Sequence, residues 1–238
     1  MKLDILAFAA HPDDTELSCA GTLLKHIKKG YKVGVVDLTE GQLGSRGSVE
    51  LRYKEAAKAA EIIGLHAREN LQMEDGWFRN DHESVLRLVE AIRAYQPDIV
   101  LANAIRDRHP DHGRAAKLAA DACFYSGLVK VETQRDGKPQ EAWRPKALYH
   151  YIQDYHIEPD LVVDITEEWD TKVEAIMAFS SQFYNPESKE AETPISSKDF
   201  MEFLKARAMS FGRPVGGKYG EGFTRSRYIG VNDLFDLR

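Results

Sequence analysis

Two short polar clusters carry the residues of this chain best suited to chemistry. His11-Pro12-Asp13-Asp14 directly follows the apolar run Ile5-Leu6-Ala7-Phe8-Ala9-Ala10, and His109-Pro110-Asp111-His112 comes shortly after Ile99-Val100-Leu101-Ala102. Imidazoles and carboxylates are the donors that hold a divalent metal, and a catalytic zinc site takes three of them and keeps a position for water. His11 and Asp14 are three positions apart and can point together if a helix starts just after Pro12. The third ligand must come from elsewhere, and His112 is the best candidate.

Asp13 lies between two of these ligands and cannot easily join the same coordination shell. It can face the bound water instead. Zinc lowers the pKa of that water to about 7, so a neighbouring carboxylate can take its proton as general base. The resulting nucleophile suits a polarised carbonyl, and the tetrahedral oxyanion then needs positive partners. The metal is one and a protonated His109 is the other, with Asp111 expected on that imidazole's second nitrogen to keep it charged and oriented. The pattern fits hydrolysis of an amide or ester. A single His-Pro-Asp reads equally well as a turn with an Asp helix cap. Capping gives no reason for histidine in both clusters. The remaining histidines are His26, His66, His82, His150 and His156. They read as surface or packing residues, with His150 and His156 the two that could join a pocket.

The elements around the clusters set their position. Residues 3–10 read as a buried parallel strand, because apolar residues run on both faces. A helix is expected over 15–29, ended by Gly30, then a strand over 32–38 and a glycine-bearing polar loop over 39–48. Helices follow at 49–63 and 82–95, with a short strand near 70–73 and another at 99–102. A helix is expected over 114–124. The second half is less regular, with strands at 147–153 and 161–165, helices at 167–179 and 198–209, and long loops at 130–144 and 210–226. The alternation predicts an α/β fold: a Rossmann-like single domain over residues 1–238, a mostly parallel sheet with helices on both faces. Both clusters then fall at strand carboxyl ends, where open α/β sheets bind ligands.

Composition narrows the function class. The chain has 238 residues, 43% of them hydrophobic, and a formal net charge of −6 without a basic stripe, which argues against nucleic acid. No apolar stretch is long enough for a membrane span, and no signal peptide is evident. Cys19 and Cys123 are the only cysteines, so the expectation is a cytoplasmic protein with two reduced thiols.

A strand followed by Ala10-His11-Pro12-Asp13-Asp14, with a later His-Pro-Asp-His, resembles the LmbE/PIG-L family of zinc-dependent deacetylases. Thr39-Glu40-Gly41 through Gly47, followed by Arg52, Glu55 and Ala56, is similar to the same family. Within it, Ser181-Gln182-Phe183 and Gly216-Gly217-Lys218-Tyr219-Gly220-Glu221-Gly222-Phe223 most resemble the bacillithiol-biosynthesis deacetylases. Those act on N-acetylglucosaminyl-malate. The resemblance implies zinc (Zn2+) held by His11, Asp14 and His112, with Asp13 as base. His109 would stabilise the oxyanion or donate to the leaving amine. By analogy Arg52 and Asp75 would contact a small amino-sugar substrate, and a homo-oligomer, trimer or hexamer, is implied. A malate-bearing substrate would need cations, and Arg46, Arg106, Arg108 and Lys218 lie in expected loops.

Rival readings fit less well. Gly212–Tyr219 nearly spells a phosphate-binding loop, but Tyr219 stands where Ser or Thr is required and a helix precedes it. A loop covering the pocket or meeting a neighbouring subunit is the better expectation for that segment. Two histidines and a carboxylate also suit a non-haem iron oxygenase, and a zinc-organised sugar-binding module would have no use for Asp13. Deacetylation of chitin oligosaccharides or another N-acetylglucosaminyl conjugate is the nearest alternative to the malate conjugate.

Overall fold

Side chains of the first strand, all buried, alternate between two apolar cores and so define two layers. The computed structural model describes residues 1–184 and 187–236. In β1 (Ile5–Ala9), Leu6 and Phe8 face one apolar core, and Ile5 and Ala7 face another. The elements that follow are α1 (Asp14–Ser18), α2 (Ala20–Lys28), β2 (Val33–Thr39), α3 (Val49–Ile63), β3 (Ala67–Met73), α4 (His82–Tyr95), β4 (Ile99–Ala102) and α5 (Pro110–Tyr125). Then come a small hairpin, β5 (Gln134–Arg135) and β6 (Lys138–Pro139), followed by β7 (Ala147–Tyr151), β8 (Leu161–Asp164), α6 (Trp169–Met177), α7 (Phe200–Gly212) and β9 (Gly220–Arg225).

One seven-stranded sheet has the order β3-β2-β1-β4-β7-β9-β8. The first five strands are parallel, and β9 runs antiparallel to both β7 and β8. α4 and α5 cover one face through Leu88, Ile92, Leu118 and Ala122. α2, α3 and α6 cover the other through Leu23, Ile63 and Ala175. This is the expected α/β architecture. Among the described residues no helix is long and apolar enough to cross a membrane. β1 leads towards β2 and β3 on one side while β4 lies on its other side, so the chain reverses direction between β1 and β4. That reversal opens a crevice beyond the strand ends.

Three local expectations need correction. The helix expected over 15–29 is two helices, broken at Cys19 (φ −141°, ψ 8°). The break presents the amides of Gly21 and Thr22 to the Glu221 carboxylate at 3.0 and 2.7 Å. An anion at a helix N-terminus satisfies donors that otherwise have no partner. The last long helix of the first half starts at Pro110, not Arg114, because proline suits the first helical position. The segment 210–226 is not one long loop, since it contains β9, an inner strand. Glycine weakens a strand reading, yet here it is required. A Cβ on Gly220 would sit 2.7 Å from Val162 and 2.8 Å from the Gly212 backbone, where α7 crosses the sheet.

Candidate metal centre and active site

His11 leaves the end of β1 and His112 sits in the first turn of α5, just beyond β4. Adjacent parallel strands therefore bring the two polar clusters to one crevice. His11 Nδ1 lies 3.7 Å from Asp14 Oδ2, and His112 Nε2 lies 3.1 Å from Asp14 Oδ1. The two rings have centroids 5.6 Å apart. His109 joins them, with its ring centroid 4.6 Å from that of His11. Nitrogens of these three histidines lie within 4.8 Å of one another, a spacing one metal ion can bridge.

The far sides of the His11 and His112 rings are held by carboxylates. His11 Nε2 lies 3.1 Å from Asp75 Oδ1 and 3.3 Å from Asp111 Oδ2. His112 Nδ1 lies 2.5 Å from Asp107 Oδ2. Such contacts fix ring orientation and leave the opposite nitrogen for a metal. Asp14 is clamped too. Its Oδ2 accepts from Asn103 Nδ2 and from the His11 amide, both at 2.9 Å, and its Oδ1 accepts from Gln153 Nε2 at 2.9 Å. Asn103 directly follows β4 and Gln153 lies two residues past β7, so segments leaving β1, β4 and β7 orient one carboxylate.

Electrostatics fit a cation. Burial works to lower the pKa of His11, but hydrogen bonds to Asp111 and Asp75 outweigh it and raise the value to about 10. His112 is likewise raised to about 9, against burial, by Asp14 and Asp107. Asp14 is held well below the usual carboxylate range, because the His112 and His11 charges overcome its burial. The crevice thus concentrates buried carboxylates that demand positive charge. His11 Nδ1, Asp14 and His112 Nε2 are donors of the kinds that zinc or its neighbours take.

Asp13 has φ 121° and ψ −21°, a conformation that residues with a side chain rarely adopt. Leu17 N donates to its carbonyl at 3.0 Å, so Asp13 heads α1. Its carboxylate lines the same cavity as His11, Asp14 and His112, a space of about 310 Å³. Burial raises its pKa to about 7, opposed by Arg52, whose Nη1 lies 3.7 Å from Asp13 Oδ2. Arg52 also donates to the Pro12 carbonyl at 3.1 Å and lies against Gly41 and Gly44 of the glycine loop.

Some expected contacts are different. The Asp111 carboxylate does not hold His109. It binds His11, the Gly76 amide at 2.9 Å and Arg114 at 2.6 Å, and only the Asp111 backbone amide reaches His109 Nδ1, at 3.3 Å. His109 is not kept charged either, since burial and the charges of His11 and His112 lower its pKa. Asp75 lines the cavity, but its carboxylate is shared between His11 and the Leu43 amide at 2.8 Å. The glycine-rich segment 212–223 does not cover the cavity, because it runs into β9. His150 and His156 are not among the cavity-lining residues, and His150 Nδ1 pairs with the Asn103 carbonyl at 2.9 Å. Of the four loop cations, Arg108 alone lines the cavity. Arg46 instead clamps the carbonyls of Ser181, Phe183 and Ala191. Sequence reasoning missed Asn103, Asp107, Gln153 and Arg207. For the first and third, a polar residue just past a buried parallel strand was the available signal.

A Rossmann-like sheet with a carboxylate-oriented histidine pair at its reversal point defines the class: an α/β protein whose crevice gathers histidines and carboxylates of the kind that could hold a metal ion. The family model for PIG-L, GlcNAc-PI de-N-acetylase, matches residues 6–123, and the chain belongs to that family. It is similar in structure to the conserved protein TT1542 from Thermus thermophilus, with TM-score 0.86, 35% identity, and coverage of 97% of this chain and 98% of that one. It is 29% identical to the diacetylchitobiose deacetylase of Thermococcus kodakarensis over 92% of this chain and 81% of the relative. It is also 29% identical to the 4-oxalmesaconate hydratase of Pseudomonas putida, over 74% of this chain and 73% of the relative.

Proposed function

We propose that the protein is a metal-dependent hydrolase that removes the N-acetyl group from an N-acetylglucosaminyl conjugate, with N-acetylglucosaminyl-malate of bacillithiol biosynthesis the first substrate to test. One observation carries this reading: Asp13 lines the same cavity as His11, Asp14 and His112. The family description and the chitobiose deacetylase relative support it.

His11, Asp14 and His112 would hold the ion, zinc by first choice. A bound divalent ion acidifies water and polarises a carbonyl oxygen. Asp13, at the edge of that donor set, would take the proton of the attacking water as general base. His109 Nδ1 accepts from the Asp111 amide, so a neutral ring carries its proton on Nε2. That proton is available to the oxyanion or the leaving amine without a charged ring. Arg52 steadies the Asp13 carboxylate and adds donors to the sugar side of the cavity. The reading keeps a trimer or hexamer acting in the cytoplasm, to be checked by solution mass and cell fractionation.

Water addition to a double bond is the second reading, because a hydratase is among the relatives. The experiment is amine release from N-acetylglucosaminyl-malate, N,N'-diacetylchitobiose and a simple N-acetylglucosaminide, by metal-loaded and chelated protein. Metal-dependent release with preference for the malate conjugate is expected. Equal rates on chitobiose would move the assignment to chitin fragments. No amine from any substrate would end the deacetylase reading and favour the hydratase.

A further inference from the structure

We propose that Arg207, on the α7 wall of the cavity, is an anion-binding subsite that takes a carboxylate or similar acidic group of the substrate. The remainder of that ligand, an N-acetylated amino sugar, rests on the function proposed above. Arg207 lines the same cavity as the metal-type cluster, beside the apolar side chains of Leu17, Ile195, Phe200 and Leu204.

Its guanidinium is short of partners. Five N–H donors are available, yet the hydrogen bond it makes, to the Leu17 carbonyl, is long at 3.5 Å. Its other contact is the Phe203 ring, whose centroid is 5.5 Å away. The acidic groups whose charge it feels are all engaged elsewhere. Asp154 binds Arg108 at 3.1 Å. Asp107 binds His112 and the Tyr155 amide. Glu221 binds Lys172 at 2.6 Å and the start of α2.

The other enclosed arginines behave differently. Arg68 reaches Glu16 and Asp37 at 2.6 and 2.8 Å. Arg93 donates to the carbonyls of Ser126, Leu128 and Val131 and to Thr133. Arg46 donates to three carbonyls. Arg207 is half-buried, a charge partly withdrawn from water is ordinarily paired, and this burial pulls its pKa down to about 10. It remains a cation at neutral pH, on the cavity wall and with one long hydrogen bond. Arg108 is tied to Asp154, and Arg52 to the Pro12 carbonyl and the Asp13 carboxylate, which leaves Arg207 as the arginine without a carboxylate partner among the described lining residues. The cavity therefore joins a metal-type cluster to an arginine that lacks a counter-ion, an arrangement complementary to an amide and an acid group on one molecule.

Two measurements on the 238-residue chain test this. The first is stabilisation by succinate, a plain dicarboxylate, followed by thermal shift. Wild type should be stabilised, Arg207→Met should not, and Arg207→Lys should keep part of the effect. The second is the ratio of kcat/KM for a carboxylate-bearing N-acetylglucosaminide to that for the neutral methyl N-acetylglucosaminide. Arg207→Met should lower this ratio about 10- to 100-fold, the range of a lost charge-assisted hydrogen bond. A merely structural role would depress both substrates and leave the ratio alone. Equal succinate shifts in wild type and Arg207→Met, or an unmoved ratio, overturn the subsite. If neither sugar is turned over, the deacetylase reading fails, and the succinate shift still decides the anion site.

Discussion

The Asp111 carboxylate lies 3.3 Å from Nε2 of His11, one hundred positions away, and not on His109 two residues before it. It shares that nitrogen with Asp75. Two carboxylates therefore orient one imidazole from its rear. Asp111→Asn should weaken metal affinity about 10- to 100-fold, the usual cost of losing such a partner. Competition with a graded chelator measures it, and excess metal should restore most of the activity. An unchanged affinity would remove Asp111 from any role in presenting His11.

Asp13 combines a base's position with a strained backbone. Asp13→Asn should lower kcat by about 100-fold or more while metal content, read by elemental analysis, stays near wild type. Asp13→Gly should also be inactive, yet more stable. Relief of about 1–3 kcal/mol of backbone strain predicts a Tm higher by roughly 2–6 °C in a chain of this size. A lower Tm for the glycine variant would show that φ 121° carries no appreciable cost here.

Chelation should destabilise the fold as well as silence it. Carboxylates crowd the crevice, so an ion that binds only the folded chain adds stability in proportion to its saturation. Differential scanning calorimetry should show Tm falling on chelation and recovering with one equivalent of zinc. His112→Ala should make Tm insensitive to zinc. A Tm indifferent to metal in the wild type would speak against an ion at this cluster.

The Lys172–Glu221 pair, with side chains 4% and 3% exposed, ties α6 to the start of α2. Lys172→Met strands a buried carboxylate and should cost about 3–5 kcal/mol. Adding Glu221→Gln should recover part of that loss, because the stranded charge is gone and the amide oxygen can still accept from one of the two amides, Gly21 or Thr22, that the two carboxylate oxygens hold. Urea denaturation of the single and double variants gives the comparison. Additive losses would mean that the pair is not coupled.

His150 supplies a pH dependence of stability. Burial lowers its pKa, opposed by its hydrogen bond to the Asn103 carbonyl. A histidine that resists protonation when folded binds its proton more readily when unfolded. Its contribution is therefore present above the unfolded value near 6.5 and is lost as pH falls below it. Unfolding free energy measured at about pH 7.5 and about pH 5.5, on either side of that value, should drop more for wild type than for His150→Asn. Parallel drops would assign the dependence to other groups.

Periodicity alone placed β1, β2, α3, α4 and β4, because each is continuous in sequence and its apolar pattern is local. Spacing alone also singled out His11, Asp13, Asp14, His109, Asp111 and His112, since two histidine-rich turns at strand ends have few uses in common. Residue contacts over long separations were beyond it. β9 was hidden by its glycines, whose purpose is the close passage of α7. The break at Cys19 depends on Glu221, two hundred positions away from Gly21. Whether Asp111 would hold His109 or His11, and whether Arg207 would find a counter-ion, depended on which strands lie side by side. A chain pattern reports which groups are available, and tertiary packing alone decides which of them are close enough to satisfy one another.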